Sequence, residues 1–139
     1  MILVFLAAAA ASPDCDKLQG LTQHQCRLAE SMALDPPPDC VKRYSQFDLN
    51  VCSFRDYLHA DIELNQTWDA ATKRLAGQQK VFRTLLAGQR AWLTYRDKQC
   101  DVWAQWYEGG TVASLMINSC LTDITKFRTK ELGQLLEEN

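Results

Sequence analysis

The sequence has little of what most enzymes and nucleic-acid binders need. It has only His24 and His59 as histidines, and its closest cysteines, Cys15 and Cys26, have ten residues between them. Zinc sites draw on close-spaced Cys or His pairs, so no metal and no cofactor is expected. There is no nucleophile elbow, zincin helix, phosphate-binding glycine loop or dinucleotide fingerprint, and the serines lack an evident histidine partner. His59 stands one turn from Glu63 with no nucleophile implied nearby, and reads as a surface histidine. The chain is therefore not expected to be an enzyme. Neither sign of charge dominates: Lys+Arg 15 against Asp+Glu 17 gives a formal charge of -2, so no nucleic-acid partner is indicated. Beyond the first dozen residues there is no long apolar run, which argues against membrane insertion. Sustained alternation of apolar and polar residues is missing too, and with it the signature of strands.

What the sequence does have is helix-forming residues, punctuated by few glycines and prolines. Met1 to Ala11 is apolar, uncharged and ends in alanines, the pattern of a signal peptide removed near Ala11. Residues 12–38 read as an N-terminal extension, a short helical hairpin bent at Gly20 and closed by Pro36-Pro37-Pro38, which forbids helix. Residues 39–139 read as one domain of three helices. They are expected from about Arg43 to Leu75, Gln79 to Tyr107 and Thr111 to Leu136, stopped at Gly77 and at Gly109-Gly110. The fold class is all-α: a disulfide-stapled, three-helix up-down-up bundle.

Six cysteines in a chain that looks exported to the periplasm or beyond read as bridges. Many connectivities remain open. Cys100 and Cys120 flank the Gly109-Gly110 turn almost symmetrically and can face each other across a helical hairpin. Cys15 can reach Cys26 only if the chain folds back at Gly20, and Cys40 can reach Cys52 only if the helix starts well after Cys40. The expected set is 15–26, 40–52 and 100–120.

Projection at about 100° per residue puts Phe54, Tyr57, Leu58, Leu64, Trp68, Ala71 and Leu75 on one face of the first long helix, with Asp61 and Asn65 inside it. On the second, Val81, Leu85, Trp92, Trp103, Trp106 and Tyr107 gather around Arg96 and Gln89. On the third, Ile117, Cys120, Ile124, Phe127 and Leu135 surround Arg128 and Glu131. An isolated buried charge costs several kcal/mol, so a buried polar network of Asp61, Asn65, Arg96, Arg128 and Glu131 is expected, with Asp61 paired to Arg96 or Arg128. The arginines could instead reach solvent past apolar neighbours, or the groups could line a ligand pocket. The four tryptophans recur at helical spacing and are expected in the core.

Several blocks resemble a known family. Asp39-Cys40, then Cys52, then Ala60-Asp61-Ile62-Glu63-Leu64-Asn65 with Trp68 resembles the opening of LprI-type lysozyme-inhibitor domains, Trp68 standing where the family usually has tyrosine. The run from Gln89 through Ala91-Trp92, Tyr95-Arg96-Asp97 and Cys100 is similar to the family's second block. Gly109-Gly110, Cys120-Leu121-Thr122, and Thr125 with Arg128, Glu131 and Leu132 follow in the family's order. The resemblance spans about residues 39 to 136. It implies a helical bacterial envelope or secreted protein without cofactor, and a lysozyme-type muramidase as partner. An inhibitor of that enzyme must block a cleft with two catalytic carboxylates. The turn Tyr107-Glu108-Gly109-Gly110-Thr111 is the candidate partner-binding element; the plainer reading is that Gly109-Gly110 only reverses the chain. The alternative function is a periplasmic ligand-binding or sensor module using the polar groups around Asp61 and Arg96, which would require a cavity beside them.

Overall fold

The computed structural model describes residues 39–138. The expected signal peptide, helical hairpin and Cys15–Cys26 bond lie outside the described residues. Those described form three helices and no strand: α1 (Gln46–Arg74), α2 (Gln79–Trp106) and α3 (Ala113–Glu137).

The start of α1 is set by a capping box. Ser45 accepts from the Asp48 amide, and the Asp48 carboxylate accepts from the Ser45 amide. Helix therefore begins at Gln46, later than the Arg43 expected, and Arg43 serves the preceding turn instead. Its Nε donates to the Cys40 carbonyl at 2.8 Å, and its Nη1 pairs with Asp56 at 2.8 Å. At the far end Lys73 and Arg74 complement the helix dipole, and Gly77, at φ +86°, turns the chain into α2. Gly109, at φ +75°, does the same between α2 and α3. Beside it the Gly110 amide donates to the Tyr107 carbonyl at 2.8 Å.

Cross-links and contacts fix the topology. Cys100 and Cys120 are bonded with Cα atoms 5.6 Å apart, so late α2 lies beside early α3 and the two run antiparallel. Asn50 near the start of α1 reaches Thr111 and Asn118 at the start of α3, so α1 and α3 run in the same direction. The result is an up-down-up bundle. Cys40 is bonded to Cys52, Cα atoms 5.5 Å apart, which ties the entering chain to the first turns of α1.

The core lies mainly between α1 and α3, with α2 more loosely applied. Tyr57, Cys100 and Leu121 are buried together, flanked by Phe54, Ile117, Cys120 and Ile124. Leu58, Leu64, Ala71, Leu75 and Leu132 are buried as well. The expected face of α1 agrees with this; α3 is turned from its expected phase, its buried Leu121, Thr122, Thr125 and Leu132 all lying off the expected face, and α2 keeps its expected phase only in part. It buries Gln89, Arg96 and Cys100, whereas Val81 and Trp106 are exposed, Trp106 by 75%. Trp68, Trp92 and Trp103 are only partly buried. Phe127 on α3 is also exposed, by 65%. The disulfide and the arginine determine which side of α2 faces inward, and its apolar stripe is wider than the surface that α1 and α3 cover.

Candidate functional site

Two groups of polar residues hold the bundle together, and they lie at different levels. At mid-height, Arg96 projects from α2 beneath α1. Its Nη1 lies 3.5 Å from Asp61 Oδ1, with side-chain exposures of 4% and 9%. The guanidinium stacks near Tyr57 on one side and Trp92 on another, 5.6 and 5.2 Å from the ring centres. Its Nε donates to Asp97 Oδ1 at 2.9 Å, which leads part of the charge to the surface. Asn65 donates to the other Asp61 oxygen at 3.3 Å. Burial pushes the Asp61 carboxyl above the usual carboxylate range, while the Arg96 charge and the hydrogen bond from Asn65 pull it back.

Arg128 and Glu131, expected in the same network, are not part of it. Arg128 Nε donates to Gln89 Oε1 at 2.9 Å and its Nη1 pairs with Glu131 at 3.0 Å. Glu131 itself is exposed. The Cys100–Cys120 bond sets this register. At about 1.5 Å per residue, Arg128 sits roughly 12 Å beyond Cys120 along α3, opposite Gln89 and past Arg96.

The Asp61–Arg96 contact is closed. Two shallow grooves open elsewhere. One, of about 390 Å³, lies between α2 and α3 and is lined by Trp92, Tyr95, Ile124 and Phe127. The other, of about 610 Å³, lies at the α1–α2 turn and is lined by Trp68, Leu75, Phe82 and Arg83. His59 and Glu63 are both exposed on α1.

The turn between α2 and α3 presents Glu108, Gly109, Gly110 and Thr111 to solvent, with Tyr107 half-buried and stacked on Trp103 at 6.1 Å. It is held by a polar clamp that sequence reasoning missed. Asn50 Nδ2 donates to the Thr111 carbonyl at 2.8 Å, while its Oδ1 accepts from Gln46 at 2.9 Å. Asn118 Nδ2 donates to the Ser53 hydroxyl at 3.1 Å, and that hydroxyl donates to the Asn50 carbonyl at 3.0 Å. The only local signal was Gln46, Asn50 and Ser53 recurring at helical spacing on α1. The partners of Asn50 and Ser53 across the bundle lie more than sixty residues away. Phe47, exposed by 53%, begins the same end of the bundle.

The sequence profile of the family described as "Lysozyme inhibitor LprI" matches residues 40–132. The chain belongs to that family. An uncharacterized protein of Rhizobium meliloti (strain 1021) is 38% identical over 123 residues, covering 81% of this chain and 88% of the relative. No solved structure matches the chain. The position of the family-like residues is instructive. Ala60, Asp61, Leu64, Gln89, Arg96, Cys100, Thr122, Thr125 and Leu132 are all buried. Others of the same blocks, Glu63, Ala91, Tyr95, Asp97, Gly109, Gly110 and Glu131, are exposed, so the resemblance covers both core and surface positions. Among the described residues no helix is long and apolar enough to cross a membrane.

Proposed function

We propose that this protein is an exported lysozyme inhibitor that acts by protein–protein contact, without chemistry of its own, in the periplasm or outside the cell. The observation that carries this reading is the match to the lysozyme-inhibitor family over residues 40–132. The two disulfides favour an oxidising compartment, in keeping with removal of residues 1–11 on export. The partner surface is assigned to the clamped turn from Tyr107 to Thr111, because its tip is exposed and its Gly109 and Gly110 belong to the family-like blocks. A muramidase cleft offers two carboxylates. The Thr111 hydroxyl and the Tyr107 hydroxyl are donors at or beside the tip, and the tip is narrow because it carries two glycines. The Asn50 clamp holds the turn in one shape before binding, which lowers the entropy lost on docking. A ligand-binding module built on Asp61 and Arg96 is not favoured, since those groups are closed on each other.

The test is turbidimetric lysis of bacterial cell walls by c-type and g-type lysozymes, with and without the oxidised protein. Dose-dependent inhibition of either class, weakened by replacing the turn residues but not by replacing Lys126 on α3, is expected. Undiminished lysis by both classes at large molar excess would refute the reading.

A further inference from the structure

The groove of about 610 Å³ at the α1–α2 turn is built from those two helices and the turn between them. Trp68 and Leu75 stand two turns apart on one face of α1, and Phe82 and Arg83 follow in the first turns of α2. Gly77, at φ +86°, folds the chain so that the two sets confront each other. Leu75 is buried and Trp68 and Phe82 are partly buried, whereas Lys73 and Arg83 are exposed. The groove therefore has an apolar floor and a cationic rim, and no carboxylate lines it. Its volume lies in the range of small-molecule sites.

The charge around it is one-sided. From Ala70 to Arg96 the chain carries six lysines and arginines and no Asp or Glu, although acids outnumber bases in the whole chain by 17 to 15. Among the described residues, only Arg96 of these six is in an ion pair. Arg83 donates to Gln79 Oε1 at 3.5 Å, the long limit of a hydrogen bond, so the rest of its fork is left to solvent. A bare inorganic anion would meet the cations and leave Trp68, Leu75 and Phe82 wet. An uncharged apolar molecule would cover those side chains and leave the cations idle. A molecule that joins an anionic head to an apolar chain matches both. The concave floor suits one such chain rather than a sheet of headgroups. Glu137 and Glu138, which close α3 at the same end of the bundle without lining the groove, oppose an anionic bilayer there.

We propose that this groove binds a single amphiphilic carboxylate of the fatty-acid kind, its head held between Lys73 and Arg83 and its chain laid along Trp68, Leu75 and Phe82. The Arg83 fork can take a carboxylate by two parallel bonds, and Lys73 adds a point charge beside it. The inference does not depend on the lysozyme reading. The length of α2 separates the groove from the turn at Tyr107 to Thr111 by about 40 Å, so each can be occupied without the other.

The experiment is calorimetry and tryptophan fluorescence of the purified, oxidised chain titrated with decanoate below its micelle concentration, with acetate and decyltrimethylammonium as comparisons. Saturable binding of one decanoate per chain, and of neither comparison compound, is expected. Lys73→Gln and Arg83→Gln, at exposed positions, should each weaken it by about tenfold with the helical melting transition kept, whereas Lys126→Gln should not. Trp68→Phe should remove most of the fluorescence change while the heat of binding persists. No saturable binding of decanoate would overturn the proposal, as would equal binding of decyltrimethylammonium or binding indifferent to both Lys73→Gln and Arg83→Gln. Cosedimentation with phosphatidylglycerol vesicles by a chain that takes no decanoate would overturn it as well, by assigning the groove to a bilayer.

Discussion

Replacing Arg96 with alanine is the sharpest test of what holds this bundle together. The side chain is 4% exposed and sits between two aromatic rings, with Asp61 on one side. Removing one partner of a buried ion pair costs about 3–5 kcal/mol, because the remaining charge is left without compensation. Loss of the cation–π contacts adds about 0.5–1 kcal/mol per ring, and more where the pair is desolvated. Asp61 can limit the cost by taking up a proton. Burial already raises its proton affinity, and without Arg96 that affinity rises further. A carboxyl whose folded pKa lies above its unfolded value loses stability as pH rises between the two values, and this interval is wider in the variant. The deficit of Arg96→Ala relative to the parent should therefore be smaller in mild acid than at neutral pH. In thermal melts followed by circular dichroism, with disulfides intact, we expect a fall in Tm of about 10–15 °C at pH 7. The exposed control Lys126→Ala should stay within about 0.5 kcal/mol of the parent. Equal melting of the two variants, or a deficit that grows toward acid, would refute the reasoning. Joint replacement Asp61→Leu with Arg96→Met should recover most of the loss, since an apolar pair of similar volume avoids the desolvation cost.

Other outcomes follow from single features. Thr125 is fully buried and its hydroxyl has no hydrogen-bond partner among the described residues, so Thr125→Val should stabilise the protein by about 1 kcal/mol in denaturant melts; destabilisation would mean that the hydroxyl has a partner. Changing Cys100 and Cys120 to serine opens a loop with a sequence separation of 20 and should cost about 3 kcal/mol, read as a lower urea midpoint; an unchanged midpoint would contradict it. Asp61→Asn removes the titrating group, and the parent should lose stability relative to it as pH rises above the ordinary carboxylate range, measured by melts across that interval. Asn50→Ala should weaken lysozyme inhibition more than it lowers Tm, because it frees the Thr111 carbonyl from its clamp while touching no core side chain; equal potency would argue against a preformed turn.

The helices were legible because their boundaries are local chemistry. Glycines at Gly77 and Gly109 sit where positive φ is needed, and the ends of α1, α2 and α3 fall within a few residues of expectation. The start of α1 was misplaced because Arg43 looks like a helix former; the local signal passed over was Ser45 with Asp48 three residues on, whose capping box starts the helix at Gln46. The phase of α2 was less legible. Gln89 and Arg96, expected on its inward face, are buried, but the apolar Val81 and Trp106 of the same expected face are exposed. The residues that looked like poor core material were the better guide. Arg128 was unreadable for a different reason, since choosing Gln89 over Asp61 depends on the axial register of α3 against α2, which no single helix records. The clamp around Asn50 joins α1 to the α2–α3 turn and was invisible to any local pattern.

The Cys100–Cys120 bond makes the hairpin tip a closed covalent ring. A protease that cuts the exposed backbone between Tyr107 and Thr111 would not separate α2 from α3, because both new ends stay tethered through sulfur. The nicked molecule would migrate as one chain until reduced. That arrangement turns a cleavage at the tip from destruction into a scar.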